Sequence, residues 1–194
     1  MSKRKDMNFF KKRKNKISAS LMKEIWSYFF VVIATILISF VLVMSVGLKT
    51  SMIGISMEPN LFNGQELFVN RFVYKLSAPK QGDPVVFYPN GSKSTHYYIK
   101  RIIAVPGDTV HITDGMIYVN GIPYGTEKYD KVAQAGIAEN EITLASDEYF
   151  VLGDNVNNSE DSRSANVGPV KRDNIVGKVW FHMAAQGSSM GFMQ

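Results

Sequence analysis

Residues 97–108 read Tyr97-Tyr98-Ile99-Lys100-Arg101-Ile102-Ile103-Ala104-Val105-Pro106-Gly107-Asp108. Aromatic and β-branched residues dominate up to Val105, and Pro-Gly-Asp then supplies a turn, so 97–105 is expected as a strand. Two adjacent cations interrupt it. Neighbours on a strand point to opposite faces, so only one of Lys100 and Arg101 can face a given interior. An inward lysine among apolar side chains is costly unless it is neutral or paired. On these residues alone, an edge strand with one cation snorkelling into solvent is a sufficient explanation.

Working outward, similar short runs recur at 66–71, 84–88, 110–113, 116–119, 149–152 and 176–181, each bounded by turn-forming residues. Asp114-Gly115 and Asn120-Gly121 flank the run 116–119 and are strong tight-turn signals, so 110–124 is expected as a small meander. Residues 125–146 are less regular and show no helical period. There is no internal repeat or low-complexity tract. The expected fold is mostly β: a β-sheet core in 49–194, with hairpins at 109–146 as a smaller insertion. The stretch 184–194, rich in Gly, Ser and Met, has no physical account at this level.

Upstream the pattern is different. WSYFFVVIATILISFVLVMSVGL, residues 26–48, carries no charge. As a helix it spans about 34 Å, slightly more than the ~30 Å hydrocarbon core of a bilayer. Trp26 and Tyr28 stand at its start, where amphipathic rings favour the interface. A buried core helix of this length would carry a polar face. A cleavable signal peptide would have a shorter apolar region followed by a small-residue site. The segment therefore reads as a retained anchor in a lipid bilayer. Residues 1–25 hold nine Lys/Arg and two acids, whereas Lys49 alone follows the run closely. The positive-inside rule then puts the N-terminus in the cytoplasm and 49–194 outside.

That asymmetry also disposes of a nucleic-acid reading. The chain of 194 residues has a formal net charge of +5, but 49–194 holds 13 basic and 15 acidic residues. The basicity belongs to a tail, and such a tail suits anionic head groups. With no cysteine, disulfides, thiol nucleophiles and thiolate metal sites are excluded. Hydrophobic residues at 45% exclude a disordered chain.

Two further segments hold candidate chemistry. Gly54-Ile55-Ser56-Met57-Glu58-Pro59 presents a serine in a punctuated stretch that is unremarkable by itself. Gly153-Asp154-Asn155-Val156-Asn157-Asn158-Ser159-Glu160-Asp161-Ser162-Arg163 is a dense polar loop after a hydrophobic strand. Alternating Asn155, Asn157, Ser159 and Asp161 admit a calcium loop, but the sharp-turn glycine and the closing glutamate are missing. The other reading is a self-bonded loop that positions a neighbouring site, with Asp161 and Arg163 able to pair. His96, His111 and His182 have no metal-ligand spacing, and surface or hairpin packing is expected for each.

Together and in order, these segments resemble the bacterial type I signal peptidases, in the single-anchor form of the Gram-positive branch. The resemblance rests on the anchor, Ser-Met-x-Pro at 56–59, Gly-Asp-x-Val-Val-Phe at 82–87, the Lys-Arg strand ending in Pro-Gly-Asp, and Gly-Asp-Asn-x-x-x-Ser-x-Asp-Ser-Arg at 153–163. It implies a membrane-anchored serine endopeptidase with Ser56 as nucleophile and Lys100 as general base. It further implies that Ser159 hydrogen-bonds and orients the lysine, and that Asp161 and Arg163 support the site as an ion pair. By position, Met52, Ile53, Gly54, Met57, Leu61, Tyr98 and Ile99 would wall the substrate pockets. The implied partners are secretory preproteins with small residues at −1 and −3; no cofactor, metal or nucleic acid is implied, and the oligomeric state stays open. Two positions depart from the family pattern: Asn60 stands where Thr is common, and Gly54 where some relatives have a serine that donates to the oxyanion. A non-catalytic assembly factor on the same fold is the alternative reading, and a self-cleaving serine–lysine regulator is excluded for want of a DNA-binding module.

Overall fold

The computed structural model describes residues 19–92, 96–185 and 188–193. Most of the basic tail, 1–18, lies outside the described residues, as do 186, 187 and 194 at the C-terminal end.

The first element is a helix, α1 (Ala19–Val46), of which Ser20–Val41 is long and apolar enough to cross a bilayer. None of its most apolar window is buried, and Phe30 is 72% exposed, which is the opposite of a core helix. Its bounds differ from the expected 26–48. The uncharged run defined the expectation, but Leu21, Met22, Lys23 and Glu24 are good helix formers and extend the helix backward. At the other end Gly47 stops it, and Leu48 pairs with Val69 instead.

Two antiparallel sheets make up the rest. The larger is built from β1 (Gly47–Ser51), β2 (Glu66–Asn70), β3 (Pro84–Phe87), β4 (Tyr98–Ala104), β9 (Glu148–Leu152), β10 (Val170–Lys171), β11 (Ile175–His182) and β12 (Gly191–Phe192), with a one-turn helix α2 (Val73–Leu76) after β2. Its order is β1-β2-β11-β3-β4-β9-β10, with β12 added on β11. The smaller sheet comprises β5 (Thr109–Thr113), β6 (Met116–Val119), β7 (Ile122–Tyr124) and β8 (Ile142–Thr143), in the order β7-β6-β5-β8. Both of its expected tight turns form. Asp114 and Asn120 have φ of 52°, followed by Gly115 at 76° and Gly121 at 74°, the twin positive values that a two-residue hairpin requires.

The edge-strand reading of 97–105 is overturned from Arg101 onward, where β9 pairs with β4, and so is the snorkelling cation, because Lys100 and Arg101 are both buried. Every residue from Ile99 to Ala104 is buried. Ile99 packs with Met52, Met57, Leu61, Leu67 and Val86, and Ile102 with Val85, Phe87, Tyr149 and Val151. Ile103 and Ala104 join Phe150 and Leu152 against Val110, Ile112, Ile117 and Val119 of the smaller sheet. Each such aliphatic side chain contributes about 1.5–3 kcal/mol on burial. One strand thus runs through three apolar clusters while carrying two cations.

The C-terminal stretch also acquires a role. Phe192 pairs with Phe181 and its ring meets those of Phe181 and Trp180 at 5.2 and 5.8 Å. The buried Gln65 amide donates to the Met183 carbonyl at 3.0 Å and to the Ser188 hydroxyl at 2.8 Å, and meets His182 Nδ1 at 3.0 Å. These tertiary hydrogen bonds join residues more than a hundred positions apart, which no local pattern announces.

Candidate active site

Ser56 begins a tight turn, in which the Leu61 N–H donates to the Met57 carbonyl at 2.9 Å. The approach to it needs glycine: Gly54 has φ of +84°, a backbone conformation that L side chains rarely adopt. Its N–H donates to Asn63 Oδ1 at 2.9 Å. A serine at 54 would be strained, which gives the departure from the family pattern a physical reason.

The Ser56 carbonyl accepts the Asn155 N–H at 3.0 Å, pinning the serine to the polar loop. Gly153 allows the approach, since a Cβ there would fall on the Ser56 carbonyl and the Ser159 hydroxyl. Against this arrangement comes β4, and Lys100 Nζ donates to Ser56 Oγ at 2.7 Å. Lys100 is 5% exposed. Burial pushes its ammonium from 10.5 down to about 8; Asp161 and Glu160 pull it upward, and the Arg163 charge pushes it down. An amine so poised is able to accept a proton near neutral pH, and the hydroxyl it touches is able to attack a carbonyl.

The polar loop is self-bonded. Asp161 takes Arg163 Nε at 2.8 Å and Nη2 at 2.9 Å, and also accepts the Gly153 N–H at 3.1 Å. Arg163 in turn donates to the carbonyls of Val156, Gln134 and Ser159, so one guanidinium closes its own loop and ties it to the segment at Gln134. Asp161 therefore faces Arg163, with Lys100 feeling it only as a charge nearby. The alternating residues that suggested calcium turn to separate partners: Asn157 bonds the backbone of Ala133 and Lys131, and Asn155 that of Ile55. Among the described residues no group of three or more acidic or imidazole side chains is placed to hold a metal.

One implied contact is not formed. The Ser159 hydroxyl is buried with no hydrogen-bond partner, so it does not orient Lys100 here; the amine has Ser56 instead. Ser159 packs against the Gly153 backbone, which keeps it beside Ser56 but turned to neither dyad atom by a hydrogen bond.

Arg101 meets a second constellation. It makes two hydrogen bonds to Asp154, Nε to Oδ1 at 2.8 Å and Nη2 to Oδ2 at 2.7 Å, and donates to the Gly82 carbonyl at 2.8 Å. Asn60 Nδ2 donates to the same carboxylate at 2.7 Å, and Lys128 stands 3.4 Å from it. Burial opposes the Asp154 charge, but the hydrogen bonds and charge of Arg101, with Lys128 and Asn60, hold its pKa below the usual carboxylate range. Asn60, a departure from the family pattern, thus has a defined partner. Asp154 was not singled out in sequence, although it belongs to the Gly-Asp-Asn motif, and Asn60 was noted only as a departure from the family pattern.

Beside Ser56 and Lys100 opens a cleft of about 480 Å³, lined by Met52, Ile53, Gly54, Ile55, His96, Tyr97, Tyr98, Ile99, Asn158 and Glu160. Five of the seven expected pocket residues line it. Met57 and Leu61 do not: both are fully buried in the cluster behind the cleft, so they support the wall from inside. Ile55, His96, Tyr97, Asn158 and Glu160 are additions that spacing did not reveal. His96 is exposed at the cleft, His111 rests on the Tyr118 ring, and His182 meets Gln65.

The comparisons with known proteins agree on one family. Residues 23–184 match the signal peptidase family, peptidase S26. Signal peptidase I P of Bacillus subtilis subsp. natto is 38% identical over 133 residues, covering 64% of this chain and 70% of that relative. Signal peptidase I T of Bacillus subtilis strain 168 is 37% identical over 132 residues, covering 64% and 67%. A solved signal peptidase I from Enterococcus faecalis aligns with 53% of this chain and 97% of its own, at 28% identity and a TM-score of 0.42. The chain belongs to the signal peptidase family, peptidase S26, and is a serine endopeptidase. These relatives do not favour the non-catalytic alternative.

Proposed function

We propose that this chain removes signal peptides from secretory preproteins, cutting after small residues at −1 and −3, with Ser56 as nucleophile and Lys100 as general base. The observation that carries the residue assignment is the 2.7 Å contact between Ser56 Oγ and a buried amine poised at about 8. A free lysine at pH 8 is neutral in only about one molecule in 250, whereas an amine titrating at about 8 is neutral in about half.

In this reading the neutral Lys100 accepts the Ser56 proton as Oγ attacks the carbonyl of residue −1. The ammonium then returns that proton to the departing amine, leaving an ester on Ser56. Water enters, gives a proton to Lys100 as its oxygen attacks the ester, and Lys100 passes that proton to Ser56 Oγ as the signal peptide leaves with a new carboxyl terminus. The Gly54 N–H is already engaged by Asn63, so the Ser56 N–H is the oxyanion donor in this scheme.

Strand pairing supports the mode of binding. β9 pairs with β4 only from Arg101 onward, so Tyr98, Ile99 and Lys100 have a strand neighbour on the β3 side alone. An extended substrate laid along this stretch would add as a strand, with alternate side chains entering the cleft. That alternation reads −1 and −3 together.

The basic tail in the cytoplasm, α1 across the membrane and the peptidase part outside complete the proposal. It rests on the charge asymmetry across the apolar run. Chain continuity supports it: β1 starts at Gly47, directly after α1. From Gly47 to Ser56 the chain reaches at most about 30 Å, so the nucleophile is tethered near the site where a signal peptide leaves the bilayer.

The direct test of function is incubation of the detergent-solubilised full chain with a preprotein, followed by sequencing of the new N-terminus. A cut after a small residue with another small residue two positions before it is expected; an intact preprotein would refute the proposal. For topology, an export-dependent reporter fused after Gln194 is expected to be active, and activity of a cytoplasm-dependent reporter alone would overturn the orientation.

A further inference from the structure

The cleft beside the dyad is lined by apolar and neutral polar side chains, with three that can bear charge: His96, Lys100 and Glu160. Glu160 is the only carboxylate among the lining residues, and beyond its charge, which pulls the Lys100 pKa upward, it takes no part in the proton transfers described above. It is exposed at the rim and accepts the Tyr98 hydroxyl at 3.0 Å. Tyr98 and Lys100 are two residues apart on β4 and share a face, so their Cα atoms lie about 7 Å apart along the strand. The Lys100 amine stands 5.6 Å from the centre of the Tyr98 ring. Glu160 thereby lines the same cleft as Ser56 and Lys100, held to β4 through Tyr98.

Glu160 sits between Ser159 and Asp161, both turned inward, and its own side chain turns outward over the cleft. Its carboxylate has one hydrogen-bond donor in Tyr98 and keeps acceptor capacity for another group. The neighbouring ion pairs do not engage it: Arg163 is spent on Asp161, and Arg101 on Asp154.

We propose that Glu160 is a specificity-determining residue, selecting substrates with a lysine or arginine at −2 or +1 and rejecting those with an aspartate or glutamate there. This rests on the proposed function, since it assigns a preference to the same cleft. Small residues at −1 and −3 enter the apolar wall, so the positions open to Glu160 are those whose side chains point out of it: −2 and +1. A cation there meets the carboxylate directly; an acid meets like charge, and discrimination arises from both. Exposed ion pairs are worth little singly, so the expected preference is roughly three- to tenfold in kcat/KM. It should shrink in high salt, because rim charges are screened.

The test uses the full chain in detergent and a peptide series spanning one cleavage site, identical except for Lys, Gln or Glu at −2 or +1. The measured quantity is the Lys-to-Glu ratio of kcat/KM at each position. The wild type is expected to show a ratio of roughly three to ten for at least one position. Glu160→Gln should bring that ratio towards one, and Glu160→Lys should invert it. Tyr98→Phe, which frees the carboxylate from its donor, should lower the ratio without inverting it. A wild-type ratio near one at both positions, or a ratio untouched by Glu160→Gln, overturns the proposal while leaving the peptidase reading intact. If no peptide in the series is cut, the peptidase reading fails. The preference is then read from dissociation constants of the same peptides on the Ser56→Ala chain, where equal binding of Lys and Glu peptides overturns it separately.

Discussion

The Lys100→Arg chain is expected to lose preprotein cleavage by roughly 10²–10⁴-fold while remaining folded, because arginine stays charged at any accessible pH and cannot accept the Ser56 proton. Ser56→Ala should be at least as severe, since it removes the attacking atom. Retention of more than about a tenth of wild-type activity by Lys100→Arg, a barrier change of only ~1.4 kcal/mol, would refute the general-base role. A third variant separates chemistry from folding. The folded state holds Lys100 at about 8, and the unfolded chain near 10.5. Between those values the unfolded state binds more protons, so this group's contribution raises stability as pH climbs through the window. Above 10.5 the contribution is complete; as pH falls to 8 it is lost, leaving a constant penalty of about 3 kcal/mol below. Lys100→Met should therefore unfold at higher temperature than the wild type at pH 7, with the advantage shrinking towards pH 10.5. A dead but stabilised variant is the mark of a residue held for function. Calorimetry of the detergent-solubilised chain at the two pH values measures it, and a destabilised Lys100→Met at pH 7 would contradict the account.

Asp154→Ala should be the most damaging change away from the dyad. It would leave the Arg101 guanidinium, itself 4% exposed, without its carboxylate. Breaking a buried pair from one side costs about 3–5 kcal/mol, or roughly 10–15 °C in melting temperature for a domain of this size. The loss is due to the stranded charge more than to the missing attraction. Removing both partners together, as in Arg101→Met with Asp154→Leu, should accordingly cost less than Asp154→Ala alone. Thermal melts of the single and double variants decide this. A single-variant loss under about 1 kcal/mol would mean that solvent reaches the pair.

Much of the sheet was legible because its signals are local. All seven expected runs became strands, and the Asp114-Gly115 and Asn120-Gly121 turns formed because only residues tolerant of positive φ fit them. What was hidden was where each strand lies in its sheet. Lys100 and Arg101 look like an edge because an isolated strand cannot display Ser56, 44 residues away, or Asp154, 53 residues away. The partners that make two buried cations tolerable come from loops, and loops have no periodicity to read. Met57 and Leu61 illustrate a related limit. Proximity in sequence to Ser56 suggested a pocket wall, yet the turn at 56–60 points both side chains into the core. Ser159 sits beside the dyad without the hydrogen bond that the resemblance implied, and only three-dimensional geometry distinguishes the two.

The central claim is that a desolvated, neutral Lys100 activates Ser56, and the pH dependence of kcat/KM for preprotein cleavage by the full chain tests it most directly. The free enzyme's amine, lowered to about 8 by burial, should give an acidic limb with an apparent pKa near that value, activity rising as the lysine loses its proton. A limb at pH 10 or above, where an ordinary exposed lysine titrates, would contradict it.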